Sequence, residues 1–341
     1  EPEDAGSVVS YKEAKDGQLL EEGISEAGAI SSWTAAATAY SAHNIELLPM
    51  YIYYSMFGFQ RIGDLIWAAA DQRARGFLFG ATAGRTTLSG EGLQHQDGSS
   101  HLIAATIPNC RAYDPCFAHE LAVIVEYGIQ RMYDEKHDEF FYITLMNENY
   151  PHPSLPDGTA DDIIRGMYLY DALGESKAPR VRLLGSGTIL RQVIEAAHLI
   201  TEHFEVRCEI YSVTSFSELA RDAQTAERRN RLTNDSNPSQ VSKYLAGGDP
   251  IVCATDYVRS VPSQISPYVT APFRILGTDG FGRSANRTSL REFFEVNAEH
   301  IALAAVTALI ETDALPNSAH KKAIDVFGIG TEALEPPPWE R

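Results

Sequence analysis

The segment Gly84–His101 reads GRTTLSGEGLQHQDGSSH and separates two apolar runs, GFLFGATA at 76–83 and LIAATI at 102–107. The composition of both runs predicts buried strands. The segment between them has only two aliphatic residues, Leu88 and Leu93, so it cannot build a core of its own. Long loops of this kind inside compact domains usually bind or catalyse. Its chemistry-bearing side chains are Arg85, Glu91, His95, Asp97 and His101. The sequence therefore predicts an active-site loop.

The composition limits the class of protein and its partners. A formal net charge of −18 argues against nucleic acid as a partner, because a phosphate backbone binds a basic surface. No apolar run reaches the roughly 20 residues that span a bilayer, so no membrane is expected. Residues 1–17 are acidic and polar, which predicts a mobile loop rather than a signal peptide. The four cysteines form no CxxC pair, which predicts reduced thiols and a cytoplasmic location.

The apolar pattern alternates between strands and helices, which predicts an α/β fold with mainly parallel sheets covered by helices. A proline-rich stretch at 147–160 predicts a linker, so we expect one domain over 1–160 and a second over 161–341. The pattern predicts helices over 19–42, 57–75, 116–133, 189–203, 217–231, 289–294 and 298–311, and strands over 45–53, 76–83, 102–107, 140–145, 181–184, 206–211, 251–254 and 273–276.

Several motifs suggest other kinds of functional site, but their signals are weaker than that of the 84–101 loop. The run LLGSGTILR at 183–191 has the strand, glycine turn and helix of a phosphate site, but it lacks the third glycine of GxGxxG and the P-loop lysine. A structural turn is the favoured interpretation. GTDGFGRS at 277–284 fits a turn, an anion nest or an interface loop. His119-Glu120 is not followed by the second histidine of HExxH, and the serines of the 84–101 loop lack a GxSxG elbow.

Two further features are open to either a structural or a functional interpretation. Ile24, Ala27, Ile30, Trp33 and Ala37 are spaced to line one face of the helix predicted over 19–42, and Glu26 lies on the same helix among small and apolar neighbours. Carboxylates are rarely buried without a partner, so an exposed helix glutamate is the ordinary interpretation. Tyr53, Tyr54 and Phe57 are equally compatible with a core position.

Four segments in a fixed order carry a resemblance to a known family: EEGISEAG at 21–28, YIYYSMFGFQRIGDLIWAA at 51–69, the 84–101 loop, and LGTDGFGRS at 276–284. Together they resemble the homodimeric type of pyruvate dehydrogenase E1 component, a thiamine-diphosphate enzyme with transketolase-like domains. The resemblance runs over essentially the whole chain. It implies most of a pyrimidine-binding domain over 1–160 and a transketolase-type C-terminal domain over 161–341. The family's Gly-Asp-Gly motif is missing, so the resemblance implies that the Mg²⁺ ligands lie in an absent N-terminal domain.

The resemblance also implies roles for individual residues. Glu26 matches the glutamate that hydrogen-bonds N1′ of the aminopyrimidine ring, and Ile24 matches the residue that holds the cofactor in its bent conformation. Tyr54 and Phe57 match aromatic residues that stack against this ring. His95 matches a histidine that faces the substrate, where it can donate a hydrogen bond to a 2-oxo acid carboxylate or a developing alkoxide. Asp97 and His101 are expected to have supporting roles at most.

The implied activity is decarboxylation of pyruvate with thiamine diphosphate, followed by reductive acetylation of a lipoyl group on the E2 acyltransferase. One alternative is the same chemistry on another 2-oxo acid, such as 2-oxobutyrate. A second is a dimerisation and partner-binding portion that is inactive without the diphosphate-binding domain. The expected partners are a second subunit of a homodimer, the missing N-terminal region, lipoylated E2 and a small 2-oxo acid.

Overall fold

Two β-sheets, each packed against helices, organise the chain. The computed structural model describes residues 14–330 and 337–340, so most of the predicted mobile loop at 1–17 lies outside the described residues. The first half contains α1 (Glu26–Ala37), α2 (Ala39–His43), β1 (Met50–Tyr53), α3 (Phe59–Asp71), β2 (Phe77–Ala81), α4 (Ser100–Ala105), β3 (Cys110–Tyr113), α5 (Ala118–Ile129) and β4 (Phe140–Leu145).

The first sheet is wholly parallel, with strand order β1-β2-β4-β3. Successive residues of its central strands point to opposite faces, and both faces are covered. Leu78, Phe140 and Tyr142 pack with α1 and α3, whereas Phe77 and Phe141 pack in the cluster that includes α5. Burial on both faces explains why these strands are nearly continuous apolar runs.

The strand predicted over 102–107 is wrong. These residues belong largely to α4, and the strand follows at Cys110–Tyr113. The buried positions in this segment are 100, 101, 104 and 107, which is helical spacing. Short apolar runs do not distinguish a strand from a buried helical turn, which explains the error.

The elements before the first sheet are shorter than predicted. The helix predicted over 19–42 begins only at Glu26, because Gly23 has a φ of 65° and the side chain of Ser25 caps the first turn. The strand predicted over 45–53 begins at Met50, after Pro49. Of the predicted helix face, Ile30, Trp33 and Ala37 are buried as expected.

The second half forms a five-stranded sheet of β5 (Met167–Leu173), β6 (Arg180–Gly185), β7 (Arg207–Val213), β8 (Ile251–Ala254) and β9 (Phe273–Leu276), with the order β5-β7-β6-β8-β9. The predicted strands and the helix over 189–203 are confirmed to within about two residues, but an additional strand at 167–173 joins the edge antiparallel. The helices of this half are α6 (Ala160–Ile164), α7 (Ile189–His203), α8 (Phe216–Thr233), α9 (Gln240–Leu245), α10 (Arg287–Phe293), α11 (Ala298–Glu311) and α12 (Ser318–Phe327).

The stretch 287–311 is long and apolar enough, by length and composition, to cross a membrane. In the structure it is divided into α10 and α11, and α11 packs in the core against α7. Half of its most apolar window is buried. Its second helix, α11, is therefore a core helix that packs against the second sheet.

The two sheets meet at the carboxyl ends of their strands. The residue after β3, Asp114, donates its backbone N–H to Thr214 after β7 and accepts from the backbone of Gly187 after β6, at 2.8 and 3.1 Å. The loop that leaves β2 contacts Asp256, which follows β8. Carboxyl edges of parallel sheets are the usual location of ligand sites. The predicted active-site loop therefore lies between two such edges.

Candidate active site

His95 lies in an aromatic cluster with the turn that follows β1. It ends a short 3₁₀ turn, Leu93–His95, in the loop between β2 and α4. Its ring centroid is 5.5 Å from that of Tyr54 and 5.1 Å from that of Phe57. Its Nδ1 lies 3.5 Å from Oε2 of Glu91. The structure thus brings together three of the residues to which the sequence assigned a site role.

The aromatic candidates at the end of β1 and in the turn that follows it divide between the core and the site. Tyr53 is buried and stacks on Tyr142, with centroids 6.4 Å apart. A 3₁₀ turn at Ser55–Phe57 then reverses the chain, which leaves Tyr54 44% exposed and Phe57 half-buried beside His95. The core interpretation is therefore correct for Tyr53 alone.

Glu26 has a partner that the sequence did not indicate. It is the first residue of α1, and its Oε1 accepts a hydrogen bond from Nη1 of Arg61 at 2.9 Å. The guanidinium of Arg61 also lies over the ring of Phe57, 4.2 Å from its centroid. Arg61 therefore links the carboxylate to the aromatic cluster. The Glu26 side chain is only 17% exposed.

Ile24 is placed differently from the prediction. It precedes α1 rather than lying on its buried face, and it is 100% exposed. A fully exposed isoleucine two residues before Glu26 adds apolar surface next to the carboxylate. A heteroaromatic ring that needs one acidic partner and apolar walls fits this combination of side chains.

Asp97 connects the His95 loop to the aromatic turn. Its Oδ1 accepts hydrogen bonds from the Gln60 amide at 2.7 Å and from the backbone N–H groups of Ser99 and Ser100 at 2.9 and 3.0 Å. Its Oδ2 accepts from the hydroxyls of Ser55 and Ser100. The carboxylate is fully buried. Because Ser55 and Gln60 bracket Phe57, Asp97 fixes the distance between the two halves of the cluster.

His101 lies away from His95, at the junction of the two sheets. Its Nε2 is 3.0 Å from the hydroxyl of Thr144, and that hydroxyl donates to Asp114 at 2.7 Å. An interior cavity of about 10 Å³, enough for roughly one water, adjoins His101 and Asp114. Burial lowers the pKa of His101 to about 4 and raises the pKa of Asp114 to about 7. His101 is thus a structural residue of the interface.

The glycine turn at 185–187 is a structural turn, as the sequence favoured. Gly187 donates its backbone N–H to the carbonyl of Asp114, and its Cα lies so close that an added Cβ would be 2.7 Å from the Asp114 carboxylate. The N-terminal end of α7 therefore faces a carboxylate of the protein itself.

The second glycine-rich loop, at 277–284, is an interface loop. Arg85 donates to the carbonyls of Thr278 and Gly280, and the hydroxyl of Ser284 donates to the carbonyl of Glu91 at 2.7 Å. The three possibilities that the sequence left open are thereby reduced to one. Nothing in the sequence indicated that this loop and the 84–101 loop would lie together.

Within residues 14–330 and 337–340, no group of three His, Cys, Asp or Glu side chains is arranged to hold a metal ion. The four cysteines are all buried free thiols.

Comparison with known proteins assigns the chain to a family. Residues 1–153 match the pyruvate dehydrogenase E1 component middle domain, and residues 166–297 match the transketolase-like C-terminal domain. The chain is 53% identical over 340 residues to a pyruvate dehydrogenase E1 component from Pseudomonas aeruginosa and 49% identical to one from Escherichia coli K12. The chain belongs to the pyruvate dehydrogenase E1 family. It spans 38% of the length of each of these relatives, and 98% of this chain is matched.

Solved structures support the fold of this E1 chain. A transketolase from Leishmania mexicana has a TM-score of 0.59 at 18% identity, covering 80% of this chain and 36% of that one. A split-gene transketolase, described as an inactive beta4 tetramer, has a TM-score of 0.57 at 16% identity and covers 84% of this chain and 82% of its own. The α/β fold with two mainly parallel sheets is therefore transketolase-like.

Proposed function

We propose that this chain is the part of a pyruvate dehydrogenase E1 component that binds the aminopyrimidine ring of thiamine diphosphate and the 2-oxo acid. The observation that carries the proposal is the continuous contact from Glu26 through Arg61 and Phe57 to His95. These residues come from separate segments of the sequence, and family membership adds support.

Thiamine diphosphate supplies, when bound, a nucleophilic carbon and an electron sink for decarboxylation of a 2-oxo acid. Glu26 would hold a proton at N1′ of the aminopyrimidine through a charge-assisted hydrogen bond. Ile24 would support the bent conformation, and Tyr54 and Phe57 would contact the ring faces.

His95 would orient the substrate. With both ring nitrogens protonated, Nδ1 would pair with the Glu91 carboxylate 3.5 Å away, and Nε2 would donate a hydrogen bond to the substrate carboxylate or to oxygen as negative charge develops. The aromatic rings on either side exclude water from part of the imidazole, which strengthens such a hydrogen bond. In this arrangement Glu91 would orient the imidazole and His95 would contact the substrate.

The complete site requires protein beyond this chain. Ile24 is fully exposed, and the edge strand β1 leaves Met50 and Ile52 50% and 65% exposed. Exposed apolar surface of this kind marks an interface. We propose that the rest of the polypeptide and a second subunit cover it, that the Mg²⁺ ligands lie there, and that the assembled cytoplasmic enzyme transfers the acetyl group to lipoylated E2.

Glu26→Gln in the full-length protein tests the assignment. The substitution keeps the shape but replaces a charged partner with a neutral one, a loss of about 1.5–3 kcal/mol that corresponds to roughly 10- to 150-fold in turnover. Pyruvate decarboxylation with an artificial electron acceptor measures this effect. Near-normal turnover with normal folding would contradict the role of Glu26.

The choice of substrate is tested by kinetics. We expect kcat/KM for pyruvate to exceed that for 2-oxobutyrate in the full-length enzyme, and His95→Ala to lower both. A higher value for 2-oxobutyrate would replace pyruvate in the proposal and leave the remaining assignments intact.

A further inference from the structure

We propose that the second domain positions His95, and that Gln96 is the positioning residue through which it acts. The inference rests on the proposed function, because it takes His95 to be the residue that orients the substrate. It adds a role for the domain over 161–341, because the aromatic cluster of Tyr54, Phe57 and His95 consists of residues from the first domain.

The carboxyl edge of the second sheet is filled by the loop that carries His95. After β8, the carboxylate of Asp256 accepts hydrogen bonds from the backbone N–H groups and the hydroxyls of Thr86 and Thr87, at 2.6 to 3.1 Å. At the other end of the loop, the N–H of Val258 donates to the carbonyl of Gly98 at 2.9 Å. The edge where such sheets commonly bind a ligand therefore binds a loop of the first domain.

Gln96, next to His95 in the chain, is the centre of this contact. Its Oε1 accepts from the backbone N–H of Arg283 at 2.8 Å. Its Nε2 donates to the carbonyl of Arg283 at 2.8 Å and to that of Leu88 at 2.9 Å. The side chain is 1% exposed, and every polar group of its amide is used. Because the amide of Gln96 both accepts from and donates to the backbone of Arg283, it fixes the position and the orientation of the loop against the second domain.

Gly282 makes the approach possible. A Cβ at this position would lie 2.5 Å from Oε1 of Gln96 and 2.7 Å from the carbonyl of Leu93. Leu93 begins the 3₁₀ turn that ends at His95. Even one methyl group at Gly282 must therefore displace the turn or the amide. The second domain is thus in direct contact with both ends of the turn that presents the imidazole.

His95 is consequently held from two sides. Gln96 binds the second domain, and Asp97 binds the turn that carries Tyr54 and Phe57. Loss of the Gln96 contact leaves Tyr54 and Phe57 in place but frees the imidazole to move relative to their rings. Displacement of a reacting or orienting group by about 1 Å lowers rates steeply.

The experiment compares Gln96→Ala and Gly282→Ala with two matched controls in the full-length protein. Gln240→Ala also removes a fully buried amide, one that donates to Asp162 and Met167. Gly248→Ala adds a methyl group in the same domain where no atom lies within 4 Å. We expect kcat/KM for pyruvate to fall about tenfold in the two test variants, and less than about twofold in the controls.

A double-mutant cycle with His95→Ala separates positioning from general damage. If Gln96 acts through His95, Gln96→Ala should lower kcat/KM by less than about twofold in the His95→Ala background. Multiplicative losses would overturn the inference. If His95→Ala itself retains activity, the proposed function of His95 fails instead.

A second readout needs no cofactor. In cofactor-free protein, the rate at which diethyl pyrocarbonate modifies His95 is measured by mass spectrometry relative to His137, a more exposed histidine elsewhere in the chain. We expect the relative rate for His95 to rise severalfold in Gly282→Ala and to stay at the wild-type value in Gly248→Ala. An unchanged rate in Gly282→Ala would contradict the inference.

Discussion

Replacement of Asp97 provides a quantitative test of how the site is held together. The carboxylate is fully buried and accepts five hydrogen bonds, two of them from the backbone N–H groups of Ser99 and Ser100. Asp97→Ala would leave these donors and the Gln60 amide without a partner in a buried site. Each unsatisfied buried donor costs about 1–3 kcal/mol, so the variant should lose about 5 kcal/mol of local stability.

Asp97→Asn should be much milder. One oxygen can still accept from the two N–H groups and from Gln60, and the hydroxyls of Ser55 and Ser100 can rotate to accept from the new amide. The remaining loss is the charge assistance of the hydrogen bonds, about 2 kcal/mol. The expected ranking is therefore wild type, then Asn, then Ala, with the larger step between Asn and Ala.

Hydrogen exchange measures the two values where they arise. The amides of Ser99 and Ser100 exchange through local opening, so the exchange rate of a peptide covering this segment reports the local free energy. A fall of about 2 kcal/mol corresponds to roughly 30-fold faster exchange. The reasoning is refuted if Asn and Ala give equal exchange, or if neither differs from the wild-type protein.

Three further outcomes follow from the same contacts. Burial raises the pKa of Asp114 to about 7, so this residue contributes stability that is complete below about pH 4 and is lost as the pH rises through 7. In urea unfolding, Asp114→Asn should therefore gain stability relative to wild type between pH 5 and 8. Burial lowers the pKa of His101 to about 4, so this residue contributes stability that is present above about pH 6.5 and is lost as the pH falls through 4. In the same assay, the difference in unfolding free energy between wild type and His101→Gln should therefore shrink on acidification. Gly58→Ala places a Cβ 2.1 Å from the ring of Tyr53. Such overpacking costs about 1–3 kcal/mol, so the thermal midpoint of unfolding should fall by several degrees. An unchanged midpoint would contradict the close contact.

The sequence was sufficient to predict the main strands, because these strands are buried on both faces of their sheets. Ile251–Ala254 is an uninterrupted apolar run, Phe140–Leu145 is interrupted only by Thr144, and both strands are found as predicted. The error at 102–107 has the opposite cause, since six apolar or small residues suit a helical turn as well as a strand. The antiparallel strand Met167–Leu173 escaped prediction because Tyr168, Tyr170 and Asp171 interrupt its apolar pattern.

The site was predicted as a set of residue types and completed by tertiary contacts. The 84–101 loop stood out in the sequence because it is long, rich in glycine and unable to form a core, and Glu26, Tyr54, Phe57 and His95 were named through the family resemblance. Arg61 was not predicted as a site residue, because the sequence around an arginine on an amphipathic helix does not indicate which carboxylate it binds. Asp256 and Gln96 were missed for the same reason.

What the sequence determined by itself is local: apolar periodicity, turn residues and the motif that identifies the family. What only the tertiary structure decided is the pairing of segments far apart in the chain. Hydrogen bonds such as those of Gln96 with Arg283 form because the carboxyl ends of two parallel sheets face each other. Their partners are selected by that juxtaposition, which no single segment of the sequence encodes.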